Sequence, residues 1–252
     1  MRVAFVGKGG AGKSSIAGTF ARLLARRGER VLAIDSDPMP GLAFSLGVDR
    51  SDAGIPDVAI EECVIDGRNT FRLRSGLSAE EAVLRYADVG PDGVLLLQLG
   101  KARGVRGENA GSHQAFQHVV EGVPDRGWSI VGDLPAGTRQ PFFGWGRFAR
   151  TVVVVVEPTP ASLLSGRRLA RLAGMPSAPR LVAVASKTRS LGDAELVRDG
   201  TGLPVIGTVP FDTSVSDGDR EGAALLDQTP KAAAVAAIDE LVSTLINEEE
   251  QP

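Results

Sequence analysis

Short apolar runs recur along the chain, and between many of them apolar residues return at helical spacing. The first run, Val3-Ala4-Phe5-Val6, reads as a buried strand, and Ile16, Phe20, Leu23 and Leu24 behind it share a helix face. Residues 31–34, 94–99, 128–132, 181–185 and 205–209 form further strand-like runs. The run at 151–156 is β-branched throughout, as in a strand covered on both faces. A helix is expected to carry Leu164, Leu169 and Leu172, with Arg167, Arg168 and Arg171 on its other side. Another, opened by Pro230, aligns Val235, Ile238, Val242 and Leu245 on one stripe. Residues 51–92 are patterned least clearly. Short strands fit at 58–64 and 70–73, and a helix from Ser78 carries Glu80 and Glu81 in its first turn, where the macrodipole favours acids. This alternation predicts one α/β domain over residues 1–252: a doubly wound, mostly parallel sheet with helices on both faces and a site along its C-terminal edge.

The polar residues that close the strands carry the chemistry. Residues 7–15, Gly-Lys-Gly-Gly-Ala-Gly-Lys-Ser-Ser, fit G-x-x-x-x-G-K-[ST] between a strand and a helix, the context of a P-loop NTPase. The backbone N–H groups of Gly9, Gly10, Ala11, Gly12 and Lys13 can converge on phosphate at a helix N-terminus. Lys13 adds a point charge, Ser14 a hydroxyl for Mg²⁺, and Ser15 reach toward an α-phosphate. The second strand ends in Asp35-Ser36-Asp37-Pro38. That places Asp37 to orient an attacking water and Asp35 for an outer-sphere Mg²⁺ contact, although D-x-D-P also reads as turn chemistry. The strand at 128–132 ends in Asp133-Leu134-Pro135-Ala136-Gly137. Here Asp133 suits a Mg²⁺ ligand, and Gly137 lets a backbone N–H approach a γ-phosphate. Lys8 cannot easily reach its own nucleotide past Lys13; it could reach that of a second subunit.

With Lys8 in place, the loop resembles the deviant Walker A motif of the MinD/ParA family of ATPases. The resemblance implies that Lys8 contacts a partner's ATP across a dimer, that ATP with Mg²⁺ drives homodimerisation, and that Asp37 is the catalytic aspartate. Family members commonly carry Asn-Lys where this chain has Ser186-Lys187, the asparagine reading adenine; serine offers a single hydroxyl, and Lys187 flanks the ring. Pro210, Phe211 and Asp212, just after the last strand, match the segment that completes the adenine pocket. In layout the chain is similar to the CooC-like accessory ATPases of carbon monoxide dehydrogenase. Their C-x-C, however, falls on Ala110 and Ser112, which removes the thiolates a soft metal needs.

Composition narrows the partners. The 252 residues carry a formal net charge of −3, so no global basic field draws the chain to nucleic acid. The final helix ends in Glu248-Glu249-Glu250, the wrong sign for an anionic membrane, and no apolar run reaches spanning length. A lone cysteine, Cys63, and two histidines, His113 and His118, about 140° apart on a helix, give no expectation of nickel or zinc. A soluble, cytoplasmic protein is expected. Phe142, Phe143, Trp145 and Phe148 cluster with Arg139, Arg147 and Arg150, as core packing or as a docking patch. The basic, glycine-rich stretch 101–112 is read as a protein-contact loop. The function expected is an ATP-hydrolysing, dimerising switch serving a client protein. A ParA-type partition or positioning ATPase is the alternative, and a ligase of the dethiobiotin or cobyrinate type, which Lys8 disfavours, comes third.

Overall fold

The structure, a computed structural model, describes residues 1–37, 41–48, 54–65, 67–99, 108–137, 146–171 and 178–250. The aromatic cluster other than Phe148, the stretch 101–107, Pro38 and Leu172 lie outside the described residues, as do the side chains of Ala110 and Ser112.

Strand β1 (Arg2–Gly7) leads into α1 (Lys13–Arg26), β2 (Val31–Asp35) and a short α2 (Leu42–Leu46). A hairpin of β3 (Ile60–Ile65) and β4 (Arg68–Leu73) precedes α3 (Ala79–Tyr86), β5 (Asp88–Val89), β6 (Leu95–Gln98) and α4 (Glu108–Gly122). Then come β7 (Ser129–Asp133), β8 (Thr151–Val156), α5 (Pro160–Ala170), β9 (Arg180–Thr188), α6 (Asp193–Thr201) and β10 (Val205–Pro210). Three helices finish the chain: α7 (Thr213–Glu221), α8 (Leu225–Gln228) and α9 (Ala233–Glu250). The main sheet has the order β10-β9-β8-β1-β7-β2-β6-β5, with every neighbouring pair parallel except β5 and β6.

The pleat sends alternate residues to opposite faces. Val3 and Phe5 of β1 meet α1, α8 and α9, whereas Ala4 and Val6 join the cluster under α3, α4, α5 and α6. Phe5 and Phe20 pack edge to face with centroids 5.4 Å apart, which fixes α1 over β1. The expected stripe Val235, Ile238, Val242, Leu245 is buried on α9. The helix expected from Ser78 begins there with a capping box, Ser78 and Glu81 each accepting from the other's backbone N–H.

The short strands of the least patterned stretch pair with each other in a separate antiparallel ribbon. It docks on α4, where Gln114 Oε1 accepts from the Thr70 hydroxyl at 2.9 Å and the Phe71 N–H at 2.7 Å. The α5 stripe needs correction. Leu164 is 51% exposed, and the inward face of α5 is Ser162, Gly166 and Leu169. The reason is helix geometry: Leu164 and Leu169, five residues apart, stand about 140° apart and cannot share a face. The inward face approaches α6 closely, a Cβ at Gly166 lying 2.7 Å from Thr201 Cγ2. No helix of the described residues is long and apolar enough to cross a membrane.

Candidate functional site

The loop after β1 takes its shape from its glycines and one internal bond. A Cβ at Gly7 would run into the Val155 carbonyl of β8, so a side chain is excluded where the chain leaves the sheet. The Ala11 N–H donates to the Lys8 carbonyl at 3.1 Å and closes a tight turn. Gly12 then caps α1 in the left-handed region, φ 90° and ψ 17°. No side chain accepts a hydrogen bond at this cap, and the first turn holds no acid. A helix N-terminus is commonly capped by a Ser, Thr, Asp or Asn acceptor; here a 14-residue helix presents bare N–H groups and its positive end to the loop. Lys13 lies at that end and is 8% exposed. An anion is the complement of this arrangement.

Three polar side chains line the C-terminal ends of the adjacent strands. The register pairs Asp35 with Asp133 on one side and with Gln98 on the other, so the three share the α1 face of the sheet. Each is 2% exposed or less. The Asp35 carboxylate is occupied by backbone: it accepts from the N–H of Asp37 at 3.0 Å, Gly41 at 3.1 Å and Leu42 at 3.0 Å, and so fastens the start of α2. Burial, reinforced by the negative charge of Asp133, pushes Asp35 up to about 7. Asp133 accepts from the Ser14 hydroxyl through Oδ2, whereas its buried Oδ1 has no partner among the described residues. Burial raises Asp133 to about 6; the Lys13 ammonium and the Ser14 bond hold it down. An orphaned carboxylate oxygen beside a serine hydroxyl is a hard oxygen-donor set, and it fits Mg²⁺. Asp37 is half-buried, and its charge acts on both Asp35 and Asp133.

A cleft of about 650 Å³ opens beside the loop. It gathers Gly10, Gly12, Lys13, Ser14 and Ser15 with Ser186, Lys187, Pro210, Phe211 and Asp212 from the ends of β9 and β10. The remaining expected residues sit around it: Ala11, Asp35 and Asp133 buried behind, Asp37 half-buried, and Lys8, Gly9 and Gly137 exposed. Gly9 faces the loop that follows β7, its missing Cβ 4.0 Å from that of Ala136. Some expected contacts have other duties. Ser186 Oγ donates to the Ala11 carbonyl at 2.9 Å, and Lys187 Nζ donates to the Gly10 carbonyl at 2.6 Å while pairing with Glu157 at 2.7 Å. Asp212 caps α7 through the Ser214 N–H at 3.0 Å and also accepts from the Ala234 N–H of α9. The partly exposed Phe211 ring carries the Arg189 guanidinium 3.8 Å from its centroid.

Sequence reasoning missed the far wall of the cleft, formed by Phe44, Val215, Arg220 and Glu221, and these residues follow no motif. It also missed Glu157 as the partner of Lys187, and Gln98, whose buried Nε2 has no hydrogen-bond partner among the described residues. Gln98 did leave a signal, as a polar residue inside the apolar run 94–99.

Comparison with known proteins agrees with this geometry. A family model described as the CobQ/CobB/MinD/ParA nucleotide binding domain matches residues 3–225. The carbon monoxide dehydrogenase accessory protein CooC of Rhodospirillum rubrum is 27% identical over 251 residues, covering 91% of each chain. Among solved structures, the cell division ATPase MinD of Pyrococcus furiosus superposes with a TM-score of 0.73 at 22% identity, over 98% of this chain and 99% of that one. MinD of Pyrococcus horikoshii, complexed with Mg-ADP, gives 0.73 at 19% identity, over 98% of this chain and 96% of that one.

Proposed function

The chain belongs to the CobQ/CobB/MinD/ParA nucleotide-binding family, and from that premise we propose that it is a Mg²⁺-dependent ATPase that dimerises on binding ATP and acts as an accessory or delivery switch on a client protein. The observation that carries the dimer is Lys8. It is exposed, and its ammonium makes only a 3.4 Å contact to the neighbouring Gly9 carbonyl among the described residues. Lys13 already supplies the charge that one triphosphate needs within the loop. A second, outward lysine at the same turn is placed for the phosphates of another copy.

In this reading the free N–H groups at the start of α1 and the Lys13 ammonium hold the β- and γ-phosphates. Ser14 and the free oxygen of Asp133 would hold Mg²⁺, which when bound neutralises phosphate charge. Asp37 orients the attacking water, and Gly137 offers its N–H where the γ-phosphate ends. Lys8 of a second copy stabilises charge on the transferred phosphoryl group, as an arginine finger does. ATP then acts as a ligand that selects the closed dimer, and hydrolysis releases it. The likeness to CooC along nearly the whole chain supports a client-directed role.

Light scattering with and without Mg-ATP tests the dimer. Lys8→Ala should keep nucleotide affinity and lose both the ATP-induced dimer and turnover; an ATP-dependent Lys8→Ala dimer that hydrolyses normally would refute the cross-subunit role. Asp37→Ala should instead accumulate an ATP-bound dimer. The positioning reading has its own observation, the exposed Arg167, Arg168 and Arg171 at the end of α5. Salt-sensitive, ATP-dependent retention on DNA would favour it.

A further inference from the structure

Two side chains outside the phosphate loop grip its carbonyl groups, and a third holds one of them in place. Ser186 Oγ donates to the Ala11 carbonyl at 2.9 Å, and Lys187 Nζ donates to the Gly10 carbonyl at 2.6 Å. Glu157, at the end of β8, holds the same ammonium at 2.7 Å. Ser186 is 2% exposed, and Lys187 sits in the left-handed region at φ 56°, a strained backbone for a residue with a Cβ.

The consequence follows from peptide geometry. In a trans peptide the C=O of one residue and the N–H of the next point in opposite directions, and the chain has no cis peptide among its described residues. Holding the Gly10 carbonyl therefore aims the Ala11 N–H away from Lys187, and that N–H is taken up by the Lys8 carbonyl. Holding the Ala11 carbonyl aims the Gly12 N–H away from Ser186, and that N–H has no acceptor among the described residues. Of the two peptides, one is pinned at both ends. The other is pinned at the carbonyl end alone, with its donor free at the N-terminus of α1.

We propose that Ser186 is a positioning residue for phosphate: it orients the Gly12 N–H through the Ala11 carbonyl, with Lys187 and Glu157 fixing the preceding peptide. Position 186 then contributes to triphosphate affinity and not to the choice of base. This rests on the nucleotide-binding reading above and adds to it where selectivity does and does not reside. The single Ser186 proton is spent on the loop, so Ser186 has no donor left for a base edge, and two of the three ammonium protons beside it go to the loop and to Glu157.

The test compares ATP, GTP and tripolyphosphate, which has no base, as competitors of a fluorescent nucleotide on wild type and Ser186→Ala. All three should weaken by the same factor, about fivefold for one lost hydrogen bond, with the ATP-to-GTP ratio unchanged. Ser186→Thr, which keeps the hydroxyl, should restore wild-type values. Should either Ser186 variant fail to fold, Lys187→Met tests the adjoining peptide and should again weaken all three competitors alike. A loss for ATP with tripolyphosphate unaffected, or a changed ATP-to-GTP ratio, would show that position 186 touches the base and overturn the proposal. Undiminished affinity in Ser186→Ala would overturn it as well. In both cases the wild type still binds ATP; a wild type that binds none of the three competitors defeats the nucleotide reading itself.

Discussion

The two ends of the same sheet treat charge in opposite ways. At the N-terminal ends of the strands and the helix ends beside them, charges are matched within the chain. Arg180 makes a two-pronged pair with Glu248, both bonds 2.7 Å, and Arg150 meets Asp125 at 3.2 Å. Arg30 lies 2.9 Å from Glu80 and stacks 3.8 Å from the Trp128 ring centre. At the C-terminal ends, Asp35 and Asp133 are buried side by side, and among the described residues one Asp133 oxygen and the Gln98 amide nitrogen have no hydrogen-bond partner. The matched end supports the fold. The unmatched end carries electrostatic tension that the fold tolerates because a ligand relieves it.

The largest way to break this contrast is to neutralise the unmatched end. Asp133→Asn keeps the shape and removes a buried charge whose second oxygen has no partner among the described residues. The nucleotide-free variant should be at least as stable as wild type, by up to about 2 kcal/mol, while ATP turnover falls by about 100-fold or more. Thermal melting and phosphate release check the two halves. A variant that loses stability and keeps turnover would invert the assignment. Lys13→Ala should act differently, lowering nucleotide affinity itself, since the ammonium that the loop brings to the phosphates is gone.

What could be read from the chain divides along the same line. The phosphate loop and the aspartates at 35, 37 and 133 were legible because they close apolar strands, and strand ends in such a sheet converge on one edge. The chain alone points Asp37 to water and Asp35 to an outer-sphere Mg²⁺ contact, but the backbone role of Asp35 was not legible. Only the folded loop shows that Asp35 is consumed by the N–H groups of Asp37, Gly41 and Leu42. The contact between Lys187 and Glu157 was hidden for a related reason. It depends on β8 and β9 lying side by side in the register that pairs Val156 with Ala185. The α7 wall of the cleft was invisible because its residues are those of any polar surface helix.

Acid should stabilise the unmatched end. Asp35 and Asp133 titrate in the folded protein near 7 and near 6, above the ordinary carboxylate value of 3.8. Between those values the folded state holds protons that the unfolded chain has released. Their contribution is therefore complete below about pH 4 and is lost as the pH rises through 6 and 7. The melting temperature of nucleotide-free protein should fall by several degrees from about pH 5 to about pH 8. In Asp133→Asn the slope should flatten, because the charge that helps to raise Asp35 is gone. A melting temperature that climbs steadily over this range would mean that these carboxylates are not the dominant titrating groups.

The matched end should respond least, and with the opposite sign. The hydrogen bonds from Arg180 hold Glu248 below its ordinary value, so that pair contributes above the unfolded carboxylate pKa and is lost as the pH drops through the folded one. Both side chains are partly exposed, 46% for Arg180 and 31% for Glu248, so solvent screens most of the attraction. Two-pronged geometry keeps the pair from being worthless, and it joins the start of β9 to the end of α9. Arg180→Ala should therefore cost about 0.5 kcal/mol, at most about 1, a shift of about 1–4 °C in melting temperature. Added salt should shrink the difference between wild type and variant. Affinity for Mg-ATP should not change, because the pair lies at the end of the sheet away from the phosphate loop. If Arg180→Ala altered nucleotide binding several-fold, the two ends would be coupled through β9 to Ser186 and Lys187, and the division of labour across the sheet would fail.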